Sequence, residues 1–367
     1  MPHTTALLRA SVALAALTLG GAALAQTTDG ARLFDANCAA CHAGDGRGRT
    51  SAEVGFDLPL PNFTDCDFAT REPNSDWSAI IHRGGPARGF DRIMPAYANA
   101  LSDDEIKALI EHLRKYCTEP GWPRGELNVP RALFTEKAFP EDEAVVTTTL
   151  VTEGPDSIGY EFAWEHRLSK SNQIEVSMPL ERVDLGAPSG WTTGAGDAAF
   201  AFKHVLSHSL DRGSILAVGG EVVLPTGDEA KGFGNGTTVY EAFALYDKLL
   251  GSKSFIQVQG LFEFPQGNGL EDEAQLRIAL GRTWTQDHGF GRQWTPMLEV
   301  IGARELVGGA ENAWDVAPQF QVTLSARLHV RAAAGWRIPV TQRDTRVDQF
   351  VFYLLWDWYD GGLLEGW

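Results

Sequence analysis

From residue 142 onward, apolar and polar side chains alternate along the chain with a period of two. Residues 173–181 place an apolar side chain at nearly every second position, and residues 314–325 do the same over a longer stretch. Successive side chains of a strand point to opposite faces of a sheet, so the pattern predicts strands with one apolar and one polar face. Twelve such runs start near Glu143, Ser157, Gln173, Gly196, Ser214, Thr237, Ser254, Asp272, Gln293, Asn312, Arg327 and Arg346.

The length and number of these runs favour a transmembrane barrel. Strands of soluble proteins usually have about five or six residues, whereas alternating segments of about ten residues separated by turns are typical of outer-membrane β-barrels. If the first strand starts in the periplasm, the inward connections are short and several outward ones, such as residues 226–236, are longer. We therefore predict an antiparallel transmembrane β-barrel of about 12 strands over residues 142–367. A soluble β-sandwich is the alternative, because its strands also alternate.

The polar face of the predicted barrel forms its lumen and carries charges of both signs. These residues are Glu161, Glu165, Arg167, Glu175, Lys203, Glu221, Glu263, Arg277 and Asp315. Barrels of about eight strands are filled by side chains, and those of about sixteen or more are open channels. A barrel of intermediate size leaves two interpretations: a pathway, or a bore filled by salt bridges.

Residues 26–119 follow a helical period instead. Asp29 is a candidate N-cap for a first helix that contains Gly30 and Phe34, and Ser102 with Glu105 forms a capping box for a last helix. The apolar positions of that last helix are Ile106, Leu109, Ile110, Leu113 and Tyr116. Gly30 would allow the two helices to cross closely, with Phe34 against Leu113 or Tyr116. This segment predicts a small all-helical domain.

The sequence CAACH at positions 38–42 carries the chemistry of this helical segment. C-x-x-C-H is the signature of covalent c-type haem attachment, in which two thiols (Cys38, Cys41) bond the vinyl groups and the histidine (His42) ligates iron. A thioredoxin-like redox pair is one alternative, which the adjacent His42 and the lack of a βαβ pattern disfavour. Two unrelated thiols near a histidine are the other.

Met94 and His82 are the two candidates for the second axial ligand. Pro95 restricts the backbone of Met94 to an extended loop, and His/Met ligation raises the reduction potential relative to two histidines. We favour Met94 over His82, which we expect at a helix end or near a propionate. Simple core packing of Met94 is the remaining alternative, and it would leave the iron open or bis-histidine.

Cys66 and Cys117 are left after the haem motif is assigned. In an oxidising compartment two remaining cysteines predict a disulfide, which here would connect a loop to the end of the last helix. Two free buried thiols are the alternative.

The order of CAACH, IMPAY and LSDDEIKALIEHLRKY resembles a small class I cytochrome c over about a quarter of the chain. The resemblance implies one covalent haem c held by Cys38 and Cys41, with His42 and Met94 as the axial ligands of the haem iron. The barrel region resembles outer-membrane proteins linked to transport of aromatic compounds, through GAGD at 194–197 and LPTGD at 224–228. The combination is similar in architecture to fused outer-membrane cytochrome-porins.

The remaining features set the domain limits and the class of partner. Residues 1–25 have the charged start, apolar run and A-x-A site of a secretory signal peptide, and the Pro- and Gly-rich residues 120–141 predict an extended linker between the cytochrome c domain and the barrel. The net charge of −17 disfavours nucleic acid as a partner. Outer-membrane lipid and a periplasmic electron-transfer protein are the expected partners.

These features together predict an electron-transfer protein rather than an enzyme with a substrate site. We expect an outer-membrane cytochrome-porin that carries single electrons between an extracellular or lumen-accessible donor, with ferrous iron as a candidate, and a periplasmic acceptor. The haem domain would lie in the periplasm or the barrel lumen. The alternatives are a transport barrel with a regulatory or periplasm-facing cytochrome domain, and a soluble periplasmic electron carrier.

Overall fold

The computed structural model describes residues 29–151, 156–186, 189–267 and 269–367. It contains a helical unit, a closed antiparallel barrel and the segment that joins them. The predicted signal peptide lies outside the described residues. Within the described part of the chain, no helix has both the length and the apolar character needed to cross a membrane.

Six short helices build the N-terminal unit. They are α1 Gly30–Asn37, α2 Ala39–His42, α3 Ser51–Val54, α4 Cys66–Arg71, α5 Asn74–Arg83 and α6 Asp103–Leu113. The Asp29 carboxylate accepts the backbone N–H groups of Ala31 and Arg32 at the start of α1. Ser102 and Glu105 form the predicted capping box of α6. The two main helices therefore begin where their caps predict.

The close crossing of α1 and α6 organises this unit. A Cβ atom on Gly30 would lie 2.2 Å from the carbonyl oxygen of Ala108, so only glycine allows this approach. Phe34 is fully buried at the crossing, and its ring lies 5.5 Å from that of Tyr116. The predicted packing of Phe34 is thus present. The core continues through Phe63, Trp77, Ile81, Leu101, Ile106, Leu109, Ile110 and Leu113.

The barrel contains fourteen strand segments. They are β1 Glu143–Val151, β2 Ser157–Arg167, β3 Asn172–Asp184, β4 Trp191–Ala195, β5 Ala198–Ser209, β6 Ser214–Leu224, β7 Val239–Leu250, β8 Ser254–Pro265, β9 Glu273–Arg282, β10 Trp284–Thr285, β11 Gln293–Glu305, β12 Ala313–Thr323, β13 Val330–Pro339 and β14 Gln349–Asp357. β4 and β10 are short segments that pair only with β3 and β11. The other segments form a twelve-stranded wall.

Pairing of the first and last strands closes the wall. β1 runs antiparallel to β14, with Glu143 opposite Asp357 and Leu150 opposite Phe350. All other neighbouring pairs are antiparallel as well. The predicted barrel is confirmed, and closure excludes the sandwich, which would have open sheet edges.

The two faces of the wall differ as the alternation predicts. Outward side chains such as Phe162, Phe200 and Trp336 are about half exposed, which gives the barrel an apolar outer belt. Inward side chains such as Glu165 and Gln319 are buried. The predicted lumen residues lie on the same face of the sheet as these two. Each is an even number of positions from an inward side chain of its own strand or is paired with one on a neighbouring strand. The inner face is therefore polar.

The segment predicted as an extended linker does more than join the two parts. Residues 128–142 enter the lumen and return to the start of β1, and most of their side chains are buried. The helical unit itself contacts the short turns at the end of the barrel where β1 begins. Longer connections, among them residues 225–238, lie at the opposite end.

Replacing Gly30 with alanine tests the helix crossing. The added Cβ would overlap the backbone of α6, so Gly30→Ala should destabilise the helical unit by about 1–3 kcal/mol. Gly44→Ala is the matched control, because no atom lies within 4 Å of its added Cβ. Thermal unfolding followed by far-UV circular dichroism in detergent compares the two. Equal melting of both variants and the parent would contradict the close crossing.

Candidate haem site

The CAACH motif lies where α1 ends and α2 begins. Cys38 terminates α1 by donating its N–H to the carbonyl of Phe34 (2.8 Å), and the N–H of His42 then returns to the carbonyl of Cys38 (2.9 Å). This turn places Cys38 and Cys41 three residues apart, on the same side of the chain. Both cysteines are half-buried and have free thiols. The motif therefore presents both sulfurs and the imidazole to one wall of the domain.

The imidazole of His42 is suited to metal ligation in its neutral form. It packs on the ring of Phe63 with 5.3 Å between ring centroids. Burial lowers the pKa of His42, which favours the unprotonated ring that a metal requires. Its Nδ1 atom is buried without a hydrogen-bond partner among the described residues. A buried ring nitrogen without a hydrogen-bond partner indicates that a further group binds next to this imidazole.

Met94 lies against the same apolar cluster as the motif. Its side chain packs there together with Cys38, Ala39 and Tyr97. The loop is fixed at both sides: the Met94 carbonyl accepts the N–H of Gly85 (3.0 Å), and the Tyr97 hydroxyl donates to the carbonyl of Asn37 (2.7 Å). The Tyr97 bond ties the methionine loop to the helix that carries the cysteines. Nothing in the sequence pattern singled out Tyr97.

His82 has other partners. It lies near the end of α5, as predicted, with Nε2 3.4 Å from a carboxylate oxygen of Asp103. Its ring also packs against Phe290 of the barrel, 4.9 Å between centroids. These contacts direct His82 toward α6 and the barrel turn. They favour Met94 as the second ligand, and the ligand assignment stays a prediction.

The residues present fit a c-type haem. Two neighbouring thiols, a half-buried imidazole and a thioether are the donor set of such a site, and the buried side chains around them provide its apolar wall. Cys38 and Cys41 would hold the macrocycle, and His42 and Met94 would ligate its iron. When bound, the group supplies one-electron chemistry.

The structure joins Cys66 and Cys117 in a disulfide with Cα atoms 5.0 Å apart. The bond connects the start of α4 to the chain just after α6. Closing a loop of this length lowers the conformational entropy of the unfolded chain, which stabilises the folded state by about 4 kcal/mol. It therefore fixes the apolar wall on the side of Phe63.

Two comparisons concern the helical unit. The family model for cytochrome c oxidase, cbb3-type, subunit III, matches residues 25–113. Chloroplastic cytochrome c6 of Chlamydomonas reinhardtii is 35% identical over 125 residues, which are 33% of this chain and 75% of that protein. This chain belongs to the c-type cytochromes. It is a cytochrome domain fused to a twelve-stranded barrel.

Two solved structures are similar to the barrel of this cytochrome. An outer membrane channel from Pseudomonas putida F1 aligns with a TM-score of 0.41 and 13% identity, over 62% of this chain and 99% of that one. The KdgM porin in complex with disordered oligogalacturonate aligns with a TM-score of 0.39 and 8% identity, over 58% and 98%.

Arginines fix the cytochrome domain to the barrel. Arg88 donates to the carbonyl of Phe290 (2.5 Å) and pairs with Asp76 inside its own domain. Arg327 of the barrel donates to the carbonyl of Gly89 (3.1 Å), and Arg71 pairs with Asp142 and lies 3.6 Å from the ring centre of Tyr359. None of these contacts was predicted from the sequence, because their partners are far apart along the chain.

A cavity of about 360 Å³ lies between the cytochrome domain and the barrel. The carboxyl groups of Glu72 and Asp360 meet there within hydrogen-bonding range. Burial raises the pKa of both groups, and the nearby carboxyl of Asp360 raises the pKa of Glu72 further. Arg331 and Arg327 are cations on the same wall. The pair therefore favours a shared proton over two adjacent charges.

Exchanging Met94 tests its role as ligand. Met94→His should lower the reduction potential by on the order of 0.1 V, because a second imidazole stabilises the oxidised iron. His82→Ala is the control and should leave the potential and the visible spectrum unchanged. Spectroelectrochemical titration of the purified protein measures both. A spectral change in His82→Ala without one in Met94→His would reverse the assignment.

The Glu72 and Asp360 pair predicts a stability that falls as pH rises. A carboxyl whose pKa is higher in the folded state loses stability as pH rises from its ordinary value near 4.5 through the folded value. The loss is up to about 1.4 kcal/mol for each pH unit in that window. Glu72→Gln should flatten this dependence, and Glu111→Gln, on the exposed face of α6, should not. Thermal melting in detergent across that range provides the measurement.

Proposed function

We propose that this protein is an outer-membrane monohaem c-type cytochrome that passes single electrons between a donor entering the barrel from outside and a periplasmic acceptor. The observation that carries the proposal is the attachment of a cytochrome domain to one mouth of a membrane-type barrel. A donor at the other mouth and an acceptor at the cytochrome domain would then be on opposite sides of the membrane.

The connections of the barrel support this orientation. Outer-membrane barrels have short periplasmic turns and longer external loops. Here the short turns, such as residues 168–171, 210–213 and 251–253, are at the mouth that contacts the cytochrome domain. We therefore assign the cytochrome domain to the periplasm, an oxidising compartment in which the disulfide persists.

The charge of the lumen supports a small cationic donor. Glu221, Glu241 and Glu263 are direct neighbours on β6, β7 and β8. Glu273 continues the row on β9, opposite Glu263. A row of carboxylates in a narrow passage concentrates cations and excludes anions. Ferrous iron fits this field and gives one electron per ion, as the single haem site requires.

The acceptor is proposed to be a periplasmic electron-transfer protein. The cytochrome domain contacts the barrel through α4, α5 and the residues just after α5. The exposed residues around α2 and α3 lie outside that contact and leave the haem motif accessible to a soluble partner.

Haem reduction in intact cells tests the proposal. A small ferrous salt and a one-electron donor too large for porins are mixed with cells in a stopped-flow spectrometer. Reduction by the ferrous salt alone supports a small donor that enters the lumen, and reduction by both donors supports electron entry at the outer mouth itself. Reduction by neither, with normal reduction after lysis, would instead favour a transport barrel with a periplasm-facing cytochrome domain. Recovery of the protein without detergent would favour a soluble carrier.

Charge variants make the same experiment specific for the lumen. The double variant Glu221→Gln with Glu241→Gln should slow reduction by the cationic donor several-fold, on the order of the effect of electrostatic steering, and more so at low salt. Glu311→Gln, in the exposed connection between β11 and β12, is the matched control. Reduction by a neutral donor should not change in either case.

A further inference from the structure

Residues 128–142 form a compact segment inside the barrel at the level of its cytochrome-side half. The side chains of Ala132, Thr135, Ala138 and Phe139 are at most 1% exposed. Both ends of the segment lie at the same mouth, since it follows the cytochrome domain and leads into β1. It therefore enters and leaves the lumen by one opening.

One side of this segment is held by a single carboxylate of the wall. Glu299 on β11 accepts the backbone N–H groups of Leu133 (3.1 Å), Phe134 (3.2 Å) and Thr135 (2.7 Å). The hydroxyl of Thr135 donates to it as well (2.7 Å), and Gln319 on β12 completes the set. A buried carboxylate with this many donors holds the backbone of the segment in one position.

The opposite side is held by other strands. The N–H of Ala138 donates to Asp247 on β7 (2.8 Å), and the Lys203 ammonium on β5 donates to the carbonyl of Lys137 (2.9 Å). The N–H of Glu141 donates to Gln173 on β3 (2.7 Å). The backbone is thus bonded to strands on both sides of the lumen.

The first part of the segment contacts the remaining side of the wall, at β9, β12 and β14. The carbonyl of Arg131 accepts from Tyr353 on β14 (2.7 Å) and Gln321 on β12 (3.1 Å). The carbonyl of Phe134 accepts from Arg277 on β9 (2.8 Å). The segment is therefore hydrogen-bonded to strands on all sides of the wall, namely β3, β5, β7, β9, β11, β12 and β14.

Charge pairing makes withdrawal of the segment costly. Arg131 pairs with Glu143 (2.9 Å) and with Glu165, and Lys137 pairs with Glu143 (3.1 Å) and Glu141 (2.5 Å). The carboxylates of Glu143 and Glu165 belong to the wall and are almost completely buried. Without the segment they would remain as uncompensated buried charges.

We propose that residues 128–142 are a fixed plug that closes the barrel to solutes at the cytochrome end. A twelve-stranded wall is wider than the barrels of about eight strands that their own side chains fill. The plug supplies the missing filling. The lumen is then a receptacle open only on the side of the long loops.

This closure deepens the proposed function and rests on it. A small donor that enters the receptacle stops at the plug, so only its electron continues to the cytochrome domain. The donor and its oxidised product both leave by the mouth through which the donor entered. The chain is accordingly an electron conductor and not a channel for the donor.

Two measurements test the plug. The first is the conductance of the purified, haem-loaded full chain in planar lipid bilayers, where we expect no steady open-pore current. The second is labelling of single cysteine variants in intact cells with a membrane-impermeant cationic maleimide. Native cysteines do not compete, since Cys66 and Cys117 form a disulfide and Cys38 and Cys41 are assigned to haem.

Ala138→Cys places the thiol in the plug, and Ala201→Cys places it in the wall of the open half. Ala201 is the direct neighbour of Glu175 and Glu221 on the adjacent strands, and it is only half-buried. We expect labelling of Ala138→Cys to be at least about tenfold slower than that of Ala201→Cys, because it requires local opening. Ala132→Cys is a second plug position if Ala138→Cys fails to fold.

Steady current through the parent protein, or equal labelling of the plug and wall cysteines, would overturn the plug. Failure of the proposed function has a different signature. A closed barrel whose haem is not reduced from outside would retain the plug and reject external electron entry. An open barrel with normal external reduction would reject the plug and retain external electron entry.

Discussion

Neutralisation of the buried carboxylates on the inner wall is the constraint on which the rest of the structure depends. Glu143, Glu165 and Glu299 lie on the inner face of the wall and are almost completely buried. The wall alone does not supply enough donors for them. The chain that connects the two domains supplies two cations and a run of backbone N–H groups. Wall and connector therefore stabilise each other.

The same logic extends to the cytochrome domain. Arg71, whose side chain is buried between the two domains, pairs with Asp142 at the end of the connector. Gly125 lies so close to Arg71 that a Cβ there would overlap its carbonyl. The connector is thus packed at both ends, and the position of the cytochrome domain follows from the filling of the barrel. Electron transfer, which depends steeply on distance, benefits from such a fixed arrangement.

Much of this fold could be predicted from the sequence because its signals are local. The period of two located the strand starts to within a few residues, as for Glu143, Ser157 and Ser214, and a capping box located α6. The haem motif was recognisable from the spacing of its two cysteines and its histidine. Residues 120–141 have no period, and their partners, such as Glu299, are far away in sequence. Only the closed barrel brings these groups together, so the sequence predicted no more than an extended linker.

The seam between β1 and β14 has a consequence for assembly. β1 is the first strand after the plug, and its Glu143 binds both plug cations while it stands opposite Asp357 of β14. Closure of the sheet and packing of the plug therefore meet at one residue, because Glu143 takes part in both. A defect in the packing of the plug should thus weaken this closing strand pair before any other pair of the wall.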